Sequence, residues 1–496
     1  MNRNVQISDL FAGNDKPVPE IGVTDITTHS ANVAAGGMFI ACKGYAHHGL
    51  EFLDMALQAK PAVVAWEPCE GVEEPSIPDH VLGLPVAGLA EQVGRIADRF
   101  FAEPSLQLRV AGVTGTNGKT TTAWLASKAL SLLGRSTAYM GTLGYGIGDQ
   151  LEATSLTTPG CIAVHRRLRE LADAGAELVV MEVSSHGLDQ GRVDGVRVRS
   201  AAFTNLSRDH LDYHGDMESY GAAKAKLFAI DALESAVINV GDAFGAELLQ
   251  ELDERLDVLT VAMADQPNAV QARVVAKLQA VGGEGMLLHI SGDFGQAQLR
   301  SPLWGHFNAE NLLVAIGVLL ANGVTLNDSV GALEQCTAPP GRMQVLRPRT
   351  ARPQVVVDFA HTPDALGKAL RTVRSHSRGN VWLVFGCGGD RDQGKRADMG
   401  ATAAKLADHI VITNDNPRSE DPDMIVSAIA DGISKSADLR IELDRRVAIQ
   451  TTIAAAAVND VVLIAGKGNE DYQLIGDRAE AFSDIIVASQ ILGAPL

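Results

Sequence analysis

The chain has 496 residues, 46% of them apolar and 21% charged, with 49 glycines. That is a globular composition, and the length predicts about three domains rather than one core. A formal net charge of −18 and an aromatic content of 5% argue against nucleic-acid binding through a basic face or a stacking platform, while small anions held at local basic sites stay open.

Residues 1 to about 103 mix short strand-like runs, MFIAC, AVVAW and GLPVAG, with loops. The opening MNRNVQISDLFAG lacks the apolar centre of a signal peptide, and no apolar run is long enough to span a bilayer, so neither a leader nor membrane insertion is expected. Pro104 breaks the chain, and LQLRVAGVTG then reads as a strand. A helix is expected from about Thr120 to Leu133, with Leu125, Ala129 and Leu132 on one face and Gly134 as its C-terminal cap. Strand and helix patterns keep alternating through ELVVMEVSS, SAAFTNLS and SAVINVGD, which predicts an α/β domain with a mostly parallel sheet. The cluster CTAPPGRMQVLRP marks a second boundary near 336 to 342. Beyond it, four apolar runs each end in a loop of glycine and charge: QVVVDFAHTPD, NVWLVFGCGGDRD, DHIVITNDNPRSED and DVVLIAGKGNED. Ligands of open α/β sheets bind beyond the carboxyl ends of the strands, so the four loops predict one shared site. The five cysteines, Cys42, Cys69, Cys161, Cys336 and Cys387, are scattered and form no CxxC, as expected of reduced thiols in a cytoplasm.

Between the first strand and helix of the central segment lies Gly115-Thr116-Asn117-Gly118-Lys119-Thr120-Thr121. Small residues let backbone N–H groups approach phosphate oxygens, and the helix N-terminus adds its positive end. In such a loop Lys119 reaches the terminal phosphates and the Thr120 hydroxyl serves Mg²⁺. The spacing is not the strict GxxxxGK[ST], because residue 113 is valine and Gly112 lies one position too far back. Glu182 closes an apolar strand, and Asn205, Asp209, His210, Asp212 and His214 crowd a loop after another. Carboxylate and imidazole can both serve a divalent ion, although Mg²⁺ prefers oxygen. By spacing alone each histidine reads as a structural one at least as well as a ligand. Lys224 and Lys226, on a helix in SYGAAKAKLFA, read as two solvated lysines.

TGTNGKTTT, MEVSSHGL, TNLSRDHLDYHG, GHFNAENLLVA, GRM and VVDFAHTPD, in this order across nearly the whole chain, resemble the signatures of the Mur ligase family, ATP-dependent amide-forming enzymes of peptidoglycan synthesis. The resemblance is closest to the branch that adds the third residue of the stem peptide. It implies three α/β domains: a UDP-substrate domain at 1–103, a central P-loop ATPase at 104–338, and a C-terminal Rossmann-like domain at 339–496 that closes over the site. It also implies residue roles. Gly115 to Thr121, Asn308, Arg342 and Asp358 would bind ATP, with Lys119 and Thr120 at the phosphates. Thr120, Glu182, His210 and Lys224 would serve two Mg²⁺ ions, Lys224 as a carbamate formed with CO₂. Thr28, Ser30, Tyr45, Ala46, His47, Thr157, Thr158, Ser184, Gln190 and Arg192 would meet the UDP-linked muramoyl dipeptide. Arg391, Asp415, Asn416, Pro417, Arg418, Gly466 and Glu470 would hold the incoming amino acid.

Asp-Asn-Pro-Arg is the motif by which this branch takes meso-diaminopimelate. Its planar guanidinium can bind the distal carboxylate bidentately, on a loop stiffened by proline, while Asp415 and Asn416 offer acceptors to the ammonium. L-lysine would leave Arg418 buried and unpaired. The expected reaction is ATP-dependent ligation of that amino acid to UDP-N-acetylmuramoyl-L-alanyl-D-glutamate through an acyl phosphate, by a cytoplasmic monomer. The rivals are an L-lysine-adding ligase, a folylpolyglutamate synthase, which lacks the first domain, and an ATP-binding regulatory module, which needs neither the metal residues nor the Asp-Asn-Pro-Arg motif. His29-Ser30-Ala31, Leu156 and Asn469 depart from the family's usual residues.

Overall fold

A computed structural model describes residues 4–12, 18–44, 47–434 and 437–494. The chain folds as two compact units, one made of Met1–Lys119, Gly134–Ala236 and Gln250–Val258, the other of Thr120–Leu133, Val237–Leu249 and Leu259–Leu496.

In the first unit the opening segment builds a four-stranded parallel sheet in the order Ile26–Thr27, Met38–Ala41, Val63–Trp66 and Leu82–Pro85. The period of two along each strand divides its residues between two cores. Met38, Ile40, Val63 and Ala65 face the helix Leu89–Phe100 and its buried Val93, Ile96 and Phe100. Phe39, Ala41, Val64 and Trp66 pack on Leu53 and Ala56 on the other side. In a second, larger sheet five neighbouring strands run Val198–Phe203, Arg109–Thr114, Leu178–Glu182, Thr137–Gly141, all parallel, and end with the antiparallel Gly144–Ile147. Its central strands are buried on both faces, as their unbroken apolar runs require. Val113 pairs with Glu182 and Thr114 with Phe203, so the loops after these three strands leave the sheet at one level.

The strand expected from Leu106 begins only at Arg109, because Pro104 occupies the first position of a short helix, Pro104–Gln107, where its missing N–H costs nothing. The helix after the glycine loop spans Lys119–Leu132, and Gly134 lies beyond it at φ +81°. Leu125 and Ala129 are buried as expected, but Leu132 is half exposed in the last turn.

The second unit carries a six-stranded sheet in the order Gln344–Leu346, Gln354–Asp358, Val461–Ala465, Val381–Phe385, His409–Ile412, Asp438–Ile441, parallel except for its first strand. All four strands expected from the sequence are present. The two edge strands were not foreseen: Asp438–Ile441 is mostly exposed and Gln344–Leu346 is only three residues long. Alternation again makes two cores, Leu383, Phe385, Ile410, Ile412, Leu463 and Ala465 on one face and Trp382, Val384, Val411, Val462 and Ile464 on the other. Thr362, Asp421, Asp444 and Ser483 cap the N-termini of the helices that cover it. The unit also contains an antiparallel meander, Val274–Gly282, Gly285–Gly292 and Gly295–Ser301, which departs from the mostly parallel pattern expected there. Its turns use Gly285, Gly292 and Gly295 at positive φ.

All five cysteines are free. Among the described residues no helix is long and apolar enough to cross a membrane.

Candidate functional site

The first unit's constellation is built where its three level strands end. Gly115, at φ +145°, passes so close to the next strand's loop that a Cβ would lie 1.9 Å from Thr204 Oγ1. Thr204 and Asn205 grip the loop's other side: Thr204 Oγ1 donates to the Asn117 carbonyl at 2.6 Å, and Asn205 Oδ1 accepts from Asn117 N at 3.0 Å. Thr116 Oγ1 accepts from Ser207 N (3.0 Å) and from Tyr220 OH (3.2 Å). Lys119 Nζ lies inside this clasp, donating to the carbonyls of Gly115 and Thr116 at 2.8 and 2.9 Å. Thr120 and Thr121 are buried in the first turn of the helix that follows. A backbone loop held this rigidly at a helix start, with a lysine at its centre, is suited to a polyphosphate.

Lys224 overturns its reading as a solvated lysine, because its side chain is 1% exposed. Nζ donates to the Gly115 carbonyl at 2.9 Å and lies 4.2 Å from the Tyr220 ring centroid. Burial first, then the neighbouring Lys119 charge, pull its pKa down to about 6, with Asp209 opposing. At neutral pH the amine is therefore mostly uncharged and nucleophilic. Lys226, two residues on, is exposed and pairs with Asp189 at 2.8 Å, the solvated behaviour expected of both.

Glu182 is 1% exposed. Tyr139 OH donates to its Oε1 at 2.5 Å, Thr142 N donates to the same oxygen at 2.8 Å, and Thr142 Oγ1 donates to Oε2 at 3.2 Å. Sequence reasoning missed Tyr139 and Thr142, since neither carries a motif and only the pairing of their strand beside Leu178–Glu182 brings them there. His210 is exposed, at φ +52°, with Nε2 3.6 Å from Asp209 Oδ2. Its ring stands edge-on to His186 at 4.9 Å, and His186 in turn contacts Tyr213 and His214. Burial, then mutual repulsion, holds His186 below the ordinary histidine range, and burial does the same for His214. Among the described residues no three His, Cys, Asp or Glu side chains form a metal-holding group.

Of the residues expected at the UDP-linked dipeptide, Thr157, Thr158, Ser184, Gln190 and Arg192 come together. Thr142 and Thr157 share a hydrogen bond at 3.0 Å, and Arg192 donates to the Thr158 carbonyl at 2.8 Å and to Gln190 Oε1. The Thr158 hydroxyl is occupied within the fold, donating to the Glu182 carbonyl at 3.0 Å and accepting from Ser184 N at 2.9 Å. Ser184 Oγ caps a short helix by accepting from Gly187 N. Thr28 and His47 are exposed, Ser30 is half-buried, and Tyr45 and Ala46 lie outside the described residues.

In the second unit, the four strand-end loops do converge. Gly466, at φ +115°, approaches Asp415 so closely that a Cβ would lie 2.5 Å from its Oδ2. Asp415 is buried, which pushes its carboxyl pKa up against the pull of Arg445 and Lys467. Asn416 is not an unoccupied acceptor as expected: its Oδ1 receives Lys467 Nζ (3.0 Å) and Leu474 N (2.9 Å), and its Nδ2 donates to Glu470 at 2.9 Å. Arg418, at φ +51°, is tied by its backbone to Leu474 and Gly476. Its side chain is only partly buried and is not unpaired, since Nη1 donates to the Gly389 carbonyl at 2.7 Å. Pro417 is buried and Arg391 is exposed in the loop Gly388 to Arg391 that faces this motif. The charges that follow the motif have separate duties: Glu420 takes both Arg396 Nη atoms, and Asp421 caps the next helix.

The expected nucleotide contacts of this unit are more scattered. Asp358 accepts from Met343 N (2.7 Å) and Ala360 N (2.9 Å), yet desolvation raises its pKa. Arg342 lies over the Phe359 ring at 4.6 Å. Asn308 is buried within its helix, bonded to Trp304 and Asn311.

The sequence matches the model of the Mur ligase middle domain over residues 113–319 and that of the Mur ligase glutamate ligase domain over 341–468. It is 44% identical to the UDP-N-acetylmuramoyl-L-alanyl-D-glutamate–2,6-diaminopimelate ligase of Xylella fastidiosa strain 9a5c, covering 100% of this chain and 98% of that one. It is 45% identical to the ligase of the same name from Pseudomonas aeruginosa strain PAO1, over 99% and 98%. A solved structure of a protein with that name superposes with a TM-score of 0.72 at 33% identity, covering 99% of both chains.

Proposed function

The chain belongs to the Mur ligase family and is an ATP-dependent amide-forming ligase, and from that premise we propose that it joins meso-2,6-diaminopimelate to the D-glutamyl γ-carboxylate of UDP-N-acetylmuramoyl-L-alanyl-D-glutamate. The reading rests on the intact Asp415–Arg418 motif at the carboxyl ends of the second unit's strands, together with full-length relatives that carry the diaminopimelate name.

The γ-carboxylate attacks the γ-phosphorus of ATP, ADP leaves, and an acyl phosphate remains. The neutral amine then attacks the activated carbonyl, phosphate departs and the nitrogen gives up its proton. Lys119 and the backbone N–H groups of Gly115 to Thr121 hold the triphosphate and offset its repulsion for the incoming carboxylate. Arg342, Asp358 and Asn308 are the second unit's candidate contacts to the nucleotide. Thr157, Ser184, Gln190 and Arg192 orient the dipeptide, and Ser30 with residues 45–47 meets the uridine end. The three-part division at 103 and 338 is supported by the separate sheets at Ile26–Pro85 and from Gln344 onward.

Lys224, uncharged and buried, fits carbamylation: the amine bonds to the carbon of CO₂ and releases one proton, turning a neutral amine into an anionic oxygen donor. With Glu182, His210 and the Thr120 hydroxyl it would hold Mg²⁺, which supplies charge neutralisation at the phosphates when bound. Arg418, with Nε and Nη2 lacking hydrogen-bond partners among the described residues, is available to a carboxylate. The free thiols and soluble nucleotide substrates support a cytoplasmic site of action.

An amine panel tests the reading. Phosphate release from ATP with the UDP-linked dipeptide should require meso-diaminopimelate and be poor with L-lysine and ornithine. Arg418→Ala should lower kcat/KM for diaminopimelate by about 100-fold, about 3 kcal/mol, with the KM of ATP little changed. Robust turnover with L-lysine and little with diaminopimelate overturns it.

A further inference from the structure

Lys467 lies between the two residues of its loop expected to touch the amino acid, Gly466 and Glu470, and had no role of its own. It is fully buried, at 0% exposure. Its Nζ donates to Asn416 Oδ1 at 3.0 Å and to Glu470 Oε2 at 2.9 Å, and Asn416 Nδ2 closes the triangle by donating to the same Glu470 oxygen at 2.9 Å. The ammonium and the Leu474 N–H, which also reaches Asn416 Oδ1, can only donate, so they fix which way the amide faces. A buried ammonium persists only when paired and hydrogen-bonded, and here its partners belong to two separate strand-end loops. Lys467 thus staples the Asp-Asn-Pro-Arg loop to the loop of Glu470.

Building on the amine subsite assigned above, we propose that Lys467 is a positioning and specificity-determining residue, which orients Asn416 and Glu470 and sets the subsite's charge so that a zwitterionic amino-acid end is preferred to a cationic one. The loops carry Asp415 and Glu470 against Arg391, Arg418 and Lys467. The distal end of meso-diaminopimelate has a carboxylate and an ammonium and is neutral overall, whereas that of L-lysine is an ammonium alone. A fixed positive charge behind Glu470 repels the lone ammonium and leaves the zwitterion nearly unaffected. Removing that charge moves the preference toward L-lysine, and a residue that only filled space would weaken both amines alike.

The test uses the full chain with ATP and the UDP-linked dipeptide, and with meso-diaminopimelate or L-lysine as the amine. For Lys467→Met the KM for diaminopimelate should rise about tenfold, the KM for ATP stay within about twofold, and the diaminopimelate-to-lysine ratio of kcat/KM fall about tenfold. Lys467→Arg keeps the charge but displaces its partners, so the KM for both amines should rise with the ratio unchanged. Equal losses for both amines in Lys467→Met, or an unaltered diaminopimelate KM in either variant, overturns the proposal. If Lys467→Met does not fold, as judged by circular dichroism, Lys467→Gln, which keeps a donor but not the charge, takes its place: the diaminopimelate-to-lysine ratio of kcat/KM should fall as for Lys467→Met, and an unchanged ratio overturns the proposal. A wild-type enzyme that fails to use diaminopimelate refutes the proposed function and this inference with it. One that uses it, with unaltered variants, refutes the inference alone.

Discussion

Replacing Lys224 by methionine removes an amine that the fold keeps uncharged, and the consequence for stability has a definite sign. In the unfolded chain this lysine binds its proton up to about pH 10.5, and in the folded chain only up to about 6. Between those values the unfolded state holds one more proton, so the lysine costs stability at neutral pH and the cost fades as pH rises toward 10.5. At pH 7.5 the cost is about 4 kcal/mol, taking 1.36 kcal/mol per unit. Methionine of similar length removes it but also forfeits the bond to the Gly115 carbonyl, worth about 1 kcal/mol. Lys224→Met should therefore be more stable than wild type by roughly 3 kcal/mol at pH 7.5 in CO₂-free buffer, a Tm higher by about 3 °C. By pH 9.5 the advantage should be close to zero. Bicarbonate at pH 7.5 should raise the Tm of wild type and leave the variant unchanged, because only the lysine can form a carbamate. Thermal unfolding by circular dichroism across this pH range reads both effects. A stability difference independent of pH would refute the neutral-amine argument, and a wild type indifferent to bicarbonate would refute the carbamate.

Two further outcomes test the amino-acid site. Gly466→Ala places a Cβ 2.5 Å from Asp415 Oδ2 at a φ of +115°, so Asp415 must shift; the KM for the amine should rise about tenfold while that for ATP holds, measured in the same phosphate-release assay. Asp484→Asn leaves the wholly buried Arg445 without its carboxylate, though Arg445 still reaches the carbonyls of Asn414 and Ala465. The loss should be about 3–5 kcal/mol, read from the denaturant midpoint, and a loss below about 1 kcal/mol would show that the pair does not hold these strand ends together.

Much of the site was legible because its chemistry is carried by contiguous motifs. The glycine loop with Lys119 and the Asp415–Arg418 run both lie directly after apolar strands, where an open α/β sheet presents its ligands. The residues that support them were not legible. Tyr139 and Thr142 serve Glu182 from some forty residues away in sequence, and the Arg445–Asp484 pair joins two helix starts whose sequences are ordinary capping turns. Edge strands such as Asp438–Ile441 were missed because exposure on one face removes the apolar signal.

By itself, then, the amino-acid sequence determined the α/β class, the order of the strands along the chain and the residue types at each strand end, since these depend on local periodicity and short-range spacing. Only the tertiary structure decided the charge state of Lys224, the internal commitments of Asn416 and Thr158, and the burial of Lys467 beneath Glu470. Those depend on desolvation and on partners distant in sequence, which periodicity does not encode. Two lysines two residues apart, Lys224 and Lys226, read alike in the chain, and about half a turn of helix sends one into the core beside Gly115 and the other to solvent.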